Sequence, residues 1–348
     1  MKAKLMAMAA AVSVAALGLT ACGGSGTSTN AGGTCTGETA KKVFKLAFNQ
    51  TEQHPQYIAA KNLGDQLAKA TECRYGIKAY ANEQLGSQAD VVNSVSDGSV
   101  EMMYIGGPVM EGFNQDFIVF NLPYMFDSIE AQADVFANKD ALNGLFTSVQ
   151  DSKNITVLAA LHAGVRSVYN SERAIKTPED LKGLKIRVQQ SDSQVKMIES
   201  MGAIASPMGQ GEVYGALQTG VLDGAENNET VYNSLKHDEV AKYYSYTQHL
   251  MIPDYLLINH QALEDMGTDK DVLLGLVPDT VKEANSGFLT FVEESKKKSE
   301  AAGATFNDVD VEPFRASVAP MVSDAINNDV RKALYETVQS ANKAHPAK

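Results

Sequence analysis

Two hydrophobic rhythms alternate along the chain, and their order outlines a fold. Val43–Phe48 is a short apolar run, the mark of a strand. From Pro55 to Ala70 the apolar positions Ile58, Ala59, Leu63, Leu67 and Ala68 fall on one helical stripe. Tyr75–Tyr80 alternates like a strand, Leu85 to Ser96 reads as a helix closed by Gly98, and Glu101–Ile105 reads as a third strand ending at Gly106-Gly107-Pro108. Strand, helix, strand, helix, strand is the pattern of a parallel sheet with covering helices.

The second half repeats this logic. Val157–Leu161 and Val165–Tyr169 read as strands. Thr177-Pro178-Glu179-Asp180 signals a helix start, with an N-capping threonine, proline at the first helical position and an acid three residues after the cap. Leu184–Val188 is then a strand that carries Arg187. Helices follow at Ser191–Met201 and Glu212–Thr219, closed by Gly202 and Gly220. A last short strand, Val221–Ala225, leaves Glu226, Asn227 and Asn228 just past its end. Helical stretches at Asp279–Ala302 and Glu312–Ala341 complete the chain, and such long helices suit a strut across two α/β units.

The N-terminus changes the picture of where the protein works. Lys2 and Lys4 precede an apolar run from Leu5 to Leu19, which ends in Leu-Thr-Ala-Cys at Cys22. A basic start, a short apolar stretch and small residues make a secretory signal. The ending resembles a bacterial lipobox, which implies Cys22 as a lipid-modified mature N-terminus; the alternative is an ordinary signal peptide with an incidental cysteine. Gly23 to Thr34, rich in Gly, Ser and Thr, reads as a flexible tether. About 300 residues remain, a size at which chains divide into two domains.

Cysteine and charge narrow the chemistry. Cys35 precedes the first strand and Cys73 the second. If those strands are parallel neighbours, their starts lie together and a Cys35–Cys73 disulfide staples the N-terminal arm; two separate thiols are the other reading. Neither metal-ligand spacing nor a cofactor motif is evident. The formal net charge is −12, without the basic patch a nucleic acid would need. Nucleophile elbow, phosphate loop and dinucleotide fingerprint motifs are all missing, so an extracytoplasmic hydrolase or lyase finds no support in the residues.

Ligands of open α/β sheets bind outside the carboxyl ends of the strands. The residues at those ends are Gln53 and His54, Gly106 and Gly107, Arg187 and Gln189, and Asn227 and Asn228. Arg187 leaves the opposite face from Leu184, Ile186 and Val188. A buried arginine needs an anion, and its planar fork suits a carboxylate. Two readings stand: a ligand carboxylate, or an internal ion pair with an acid such as Glu226. Arg166, in G-V-R-S-V-Y, allows the same two.

Several motifs carry a family resemblance: L-K-G-L-K-I-R-V at Leu181–Val188, E-V-Y-G-A-L-Q-T-G-V-L-D-G at Glu212–Gly224 with the following E-N, Q-L-G at Gln84–Gly86, and N-L-P-Y-M-F at Asn121–Phe126. Together they resemble the substrate-binding proteins of tripartite ATP-independent periplasmic (TRAP) transporters, of the dicarboxylate/sialate/uronate-binding type. The resemblance implies a periplasmic-binding-protein fold of two α/β lobes. One lobe would comprise residues 41–163 plus about 252–290, the other 164–251 plus about 291–348 with the C-terminal helices. A long helix would bridge them, and the ligand would be enclosed between them. It implies that Arg187 clamps a ligand carboxylate, that Arg166 and Asn227 join it, and that His54 lies near the ligand. It also implies a partner, an ion-driven membrane permease. Asp223-Gly224-Ala225-Glu226-Asn227-Asn228 with His237–Tyr244 resembles hexuronate binders. Gln210 stands where sialate binders have an aromatic residue, which favours a ligand with hydroxyls; simple dicarboxylates remain the alternative.

Overall fold

The computed structural model describes residues 35–347. The expected leader, lipidation at Cys22 and tether up to Thr34 fall outside the described residues. Among the described residues no helix is long and apolar enough to cross a membrane.

The strands run β1 (Lys42–Ala47), β2 (Tyr75–Tyr80), β3 (Met102–Gly106), β4 (Ile155–His162), β5 (Arg166–Asn170), β6 (Lys185–Val188), β7 (Ile204–Pro207), β8 (Gly224–Asn227), β9 (Tyr243–Leu250), β10 (Pro253–Asn259) and β11 (Thr305–Asp308). They form two sheets, ordered β2-β1-β3-β10-β4 and β11-β9-β5-β8-β6-β7. This is the two-sheet α/β architecture that the alternating rhythms predict. The chain passes from the first sheet to the second between β4 and β5, and returns between β9 and β10. The first crossing turns at Gly164, whose φ of +87° is a left-handed conformation. A β-carbon there would lie 2.6 Å from the Asn228 amide nitrogen. A third crossing is made by the Asp269–Ala301 helix, which packs on the Pro55–Ala70 helix beside the first sheet and the Glu229–Ser234 helix beside the second.

Local chemistry explains the elements the site depends on. The Gln88–Asp97 helix is capped by the Ser87 hydroxyl, which accepts from the Asp90 N–H, and Gly98 ends it at φ +83°. β1 and β2 are parallel, with Lys42 opposite Tyr75. Their starts bring Cys35 and Cys73 to a Cα–Cα separation of 6.0 Å, and the two form a disulfide. The central strand β3 is buried throughout, as a strand covered on both faces must be.

Some expectations are corrected. The Thr177 capping box forms, but it closes only a 3₁₀ turn, Pro178–Leu181. The strand expected at Val221–Ala225 is β8, Gly224–Asn227, so Glu226 and Asn227 lie within it and not beyond it. β7, β9, β10 and β11 carry no alternation strong enough to announce them. The bridging helix begins at Asp269, ten residues before Asp279, and runs through Pro278. Proline disfavours a helix interior, yet Leu273 and Val277 on the preceding turns are buried, and their packing holds the helix together. The tail divides at Ile326–Asn328 into helices Glu312–Ala325 and Asp329–Ala344. The latter packs on the Ile129–Ala137 helix and the Gln115–Asn121 3₁₀ helix, away from the second sheet with which the sequence grouped it.

Candidate functional site

Loops at the carboxyl ends of strands from both sheets converge on one pocket. The first sheet supplies Asn49 after β1, Glu83 and Gln88 after β2, and Val109 after β3; the second supplies Arg187 at the end of β6, Gln189 and Gln190 beyond it, and Met208, Gly209 and Gln210 after β7. The two sides touch. The Asn49 side-chain amide donates to the Gln210 side-chain oxygen at 3.3 Å, and the Gly211 N–H donates to a Glu83 carboxylate oxygen at 2.8 Å.

Arg187 is the pocket's cation, only 4 % exposed. Its Nε and one Nη donate to the Met208 carbonyl at 3.0 and 2.8 Å. Among the described residues no carboxylate is hydrogen-bonded to it. The ion pair weighed for it is taken by another arginine. Arg166 meets Glu226 through two parallel bonds of 2.6 Å, donates again to the Glu226 backbone carbonyl, and reaches the Asn227 side-chain oxygen at 2.8 Å. His249 sits 3.6 Å from the same carboxylate.

Titration follows this division. Burial opposes charge on Glu226, but Arg166 and His249 outweigh it and hold the carboxyl at about 2. Burial also works against charge on Arg166, yet Glu226 leaves its net shift upward. For Arg187 burial is again the largest effect, and Arg166 adds like-charge repulsion; Glu226 and Glu83 do not make up the difference, so the net shift is downward. Arg166 is therefore a satisfied cation, and Arg187 is one whose environment calls for an anion.

Polar side chains beside Arg187 are also incompletely used. The Gln189 side-chain oxygen and the Gln210 side-chain nitrogen are buried and have no hydrogen-bond partner among the described residues. Buried polar atoms are ordinarily paired, so one free acceptor and one free donor in this pocket suit a hydroxyl-bearing ligand. Gly106 makes the arrangement possible. A β-carbon there would lie 2.5 Å from the Gln189 amide nitrogen.

Of the residues singled out from sequence, the structure brings Arg187, Gln189 and Gln210 to the pocket; Arg166 and Asn227 join Glu226 in a separate network whose arginine is near enough to repel Arg187. It does not bring the others. His54 is 4 % exposed, its Nδ1 accepts from the Gln56 N–H, and its ring is packed by Phe48, Phe288 and Phe291. It is the N-cap of the Pro55–Ala70 helix, and burial lowers its pKa to about 3. Gln53 lines a separate surface groove against the bridging helix. Gly107 faces Asn121 and Pro253. Asn228 caps the Glu229–Ser234 helix and donates to the Ala163 carbonyl at 2.6 Å. Sequence reasoning missed Asn49, Gln88 and Gln190 as pocket residues. Asn49, two positions past β1, satisfied the strand-end rule and could have been found by it.

A wider groove lies between Pro123–Asp127 and the C-terminal helices. Its one cation, Arg315, stacks 4.6 Å over the Tyr124 ring and pairs with Glu312, so it offers no free clamp. Among the described residues no group of three or more His, Cys, Asp or Glu side chains is placed to hold a metal ion.

Comparison with known proteins identifies the family. Residues 46–329 match DctP, bacterial extracellular solute-binding protein family 7. A solute-binding protein of Chromohalobacter salexigens is 35% identical over 296 residues, 83% of this chain and 86% of the relative. Among solved structures, a TRAP periplasmic solute-binding protein of Anaerococcus prevotii with bound α/β-D-glucuronate superposes with a TM-score of 0.85 at 35% identity, covering 88% of this chain and 100% of that one. One from Xanthobacter autotrophicus with bound β-D-galacturonate gives 0.81 at 30% identity, covering 85% and 99%. The chain thus belongs to the DctP family of extracellular solute-binding proteins, the substrate-capturing components of TRAP transporters, which bind solutes rather than transform them.

Proposed function

We propose that this protein captures a hexuronate, glucuronate or galacturonate, and delivers it to a TRAP membrane permease while tethered to the membrane through a lipid on Cys22. The observation that carries the reading is Arg187, a buried guanidinium whose only hydrogen-bond partner among the described residues is the Met208 carbonyl. A ligand carboxylate supplies the missing anion through the bidentate geometry arginine favours. Arg166, neutralised by Glu226, holds the Asn227 side chain in place. The free acceptor on Gln189 and free donor on Gln210 take ligand hydroxyls. Glucuronate and galacturonate in the related structures have this combination of one carboxylate and several hydroxyls.

Isothermal titration with D-glucuronate and D-galacturonate tests the proposal. Binding by the wild type and its loss in Arg187→Ala are expected. A variant that still bound either acid with wild-type affinity would remove Arg187 from the clamp. Mass-spectrometric detection of a diacylglyceryl group on Cys22 checks the anchor.

A further inference from the structure

Glu83 lines the same pocket as Arg187, from the loop after β2 of the first sheet, and its placement is constrained. Asn82 and Glu83 both have φ of 54°, a left-handed conformation that non-glycine residues seldom adopt. Backbone bonds hold them there: the Asn82 N–H donates to the Gln50 carbonyl at 2.8 Å, and the Glu83 N–H to the Phe48 carbonyl at 3.1 Å. Backbone strain of this kind persists only where surrounding structure enforces it. The result is a carboxylate carried on the loop after β2 that reaches the Gly211 N–H, on the loop after β7.

The sheet orders show what that contact does. β2 is one edge of the first sheet, and the strands nearest the chain crossings, β10 and β4, form the other. β7 is one edge of the second sheet, with the crossing strands β9 and β5 toward its opposite side. The Glu83–Gly211 bond therefore joins the two sides of the cleft at the sheet edges remote from the β4–β5 and β9–β10 connections. Any opening that hinges at those two connections must break it.

The same carboxylate faces the ligand space. Glu83 and Arg187 line one pocket, and each senses the other's charge. A ligand whose carboxylate sits on Arg187 extends toward Glu83. If its far end carries hydroxyls, Glu83 accepts their protons in hydrogen bonds. If its far end is a second carboxylate, two anions meet in a partly desolvated space, where like charges repel strongly. Specificity often rests on such a repulsive element.

We infer that Glu83 is a specificity-determining residue that clasps the closed cleft and selects acids with one carboxylate and distal hydroxyls over dicarboxylates. This rests on the hexuronate reading of the pocket. Burial raises the Glu83 carboxyl, while the Gly211 amide and Arg187 pull it down, which is consistent with an acid enclosed at the ligand's edge.

Titration calorimetry of wild type, Glu83→Gln and Glu83→Ala with D-glucuronate, D-galacturonate and succinate separates the roles. Glutamine keeps an acceptor for the Gly211 N–H and removes only the charge. In Glu83→Gln the ratio of succinate to uronate affinity is expected to rise about tenfold or more. Glu83→Ala, which also loses the clasp, shifts that ratio the same way and weakens both ligands. If Glu83→Gln changes both affinities by one factor, or neither, the inference is overturned while Arg187-dependent uronate binding stands. Wild type that takes succinate as tightly as uronates overturns it as well. Wild type that binds no acid overturns the hexuronate reading, and this inference with it. Melting temperatures of the ligand-free variants verify that each is folded.

Discussion

Two arginines of the same type and burial have opposite fates, and the difference is one carboxylate. Glu226 sits on β8 opposite Val168 of β5, in the register that brings it to Arg166. Removing one member of a buried pair leaves the other uncompensated, at about 3–5 kcal/mol. Glu226→Ala is therefore expected to lower unfolding free energy by about that amount in urea titration, whereas Arg187→Ala, which deletes an unpaired cation, leaves ligand-free stability nearly unchanged or higher. A second residue-scale prediction concerns Glu111. Burial raises its carboxyl to about 7, despite hydrogen bonds from Ser193, Asn121 and Ser191. Because the folded pKa lies above the unfolded one, the folded state holds the proton more tightly. The resulting stabilisation is full below about pH 4.5 and is lost as pH rises through 7, a span of roughly 3 kcal/mol. Between pH 5 and 7.5 the wild type should lose stability relative to Glu111→Gln; parallel pH curves would show that the carboxyl is not perturbed.

At the scale of elements, turns and strand ends decide where side chains point. Gly106 ends β3 where only a glycine leaves space for Gln189. Gly106→Ala is expected to weaken uronate binding about tenfold by displacing Gln189, with a ligand-free melting temperature within a few degrees of wild type; unchanged affinity would show that Gln189 does not contact ligand. The Cys35–Cys73 bond closes 38 residues around β1 and its following helix. Loop-closure entropy for that length amounts to about 4 kcal/mol. Cys35→Ser with Cys73→Ser should lower stability by up to that figure, measured by denaturant titration against oxidised wild type. The strand rhythm and the residues at strand ends were legible in the sequence, since a period of two and a Gly or Pro stop are local properties. His54 shows the limit. It does follow β1, but its ring turns back to cap a helix and pack against Phe288 and Phe291, more than two hundred residues away in the chain.

The whole molecule converts these parts into a device that closes. Two sheets are joined by three crossings, one through Gly164, and the contacts Glu83–Gly211 and Asn49–Gln210 link the two sides of the pocket. A ligand that bridges Arg187 on one side and first-sheet groups on the other stabilises the closed arrangement. At about 100 times its dissociation constant it should add roughly 2.7 kcal/mol to the unfolding free energy. A melting temperature that rises with uronate in wild type, and does not rise in Arg187→Ala, is the expected outcome.

The sequence by itself determined the α/β class and Arg187 as a cation in search of an anion, and it offered the export signal and the staple between Cys35 and Cys73 as expectations. Each of these depends on residue type and short spacing. Tertiary structure alone decided which arginine Glu226 neutralises, why His54, Gln53, Gly107 and Asn228 stand outside the pocket, and that Glu83 meets Gly211 across it. These depend on strand order and register, which bring together residues 60 to 240 positions apart, such as Arg166 and Glu226 or His54 and Phe291. No local pattern encodes such pairings, because the energy that selects them comes from packing the whole chain at once.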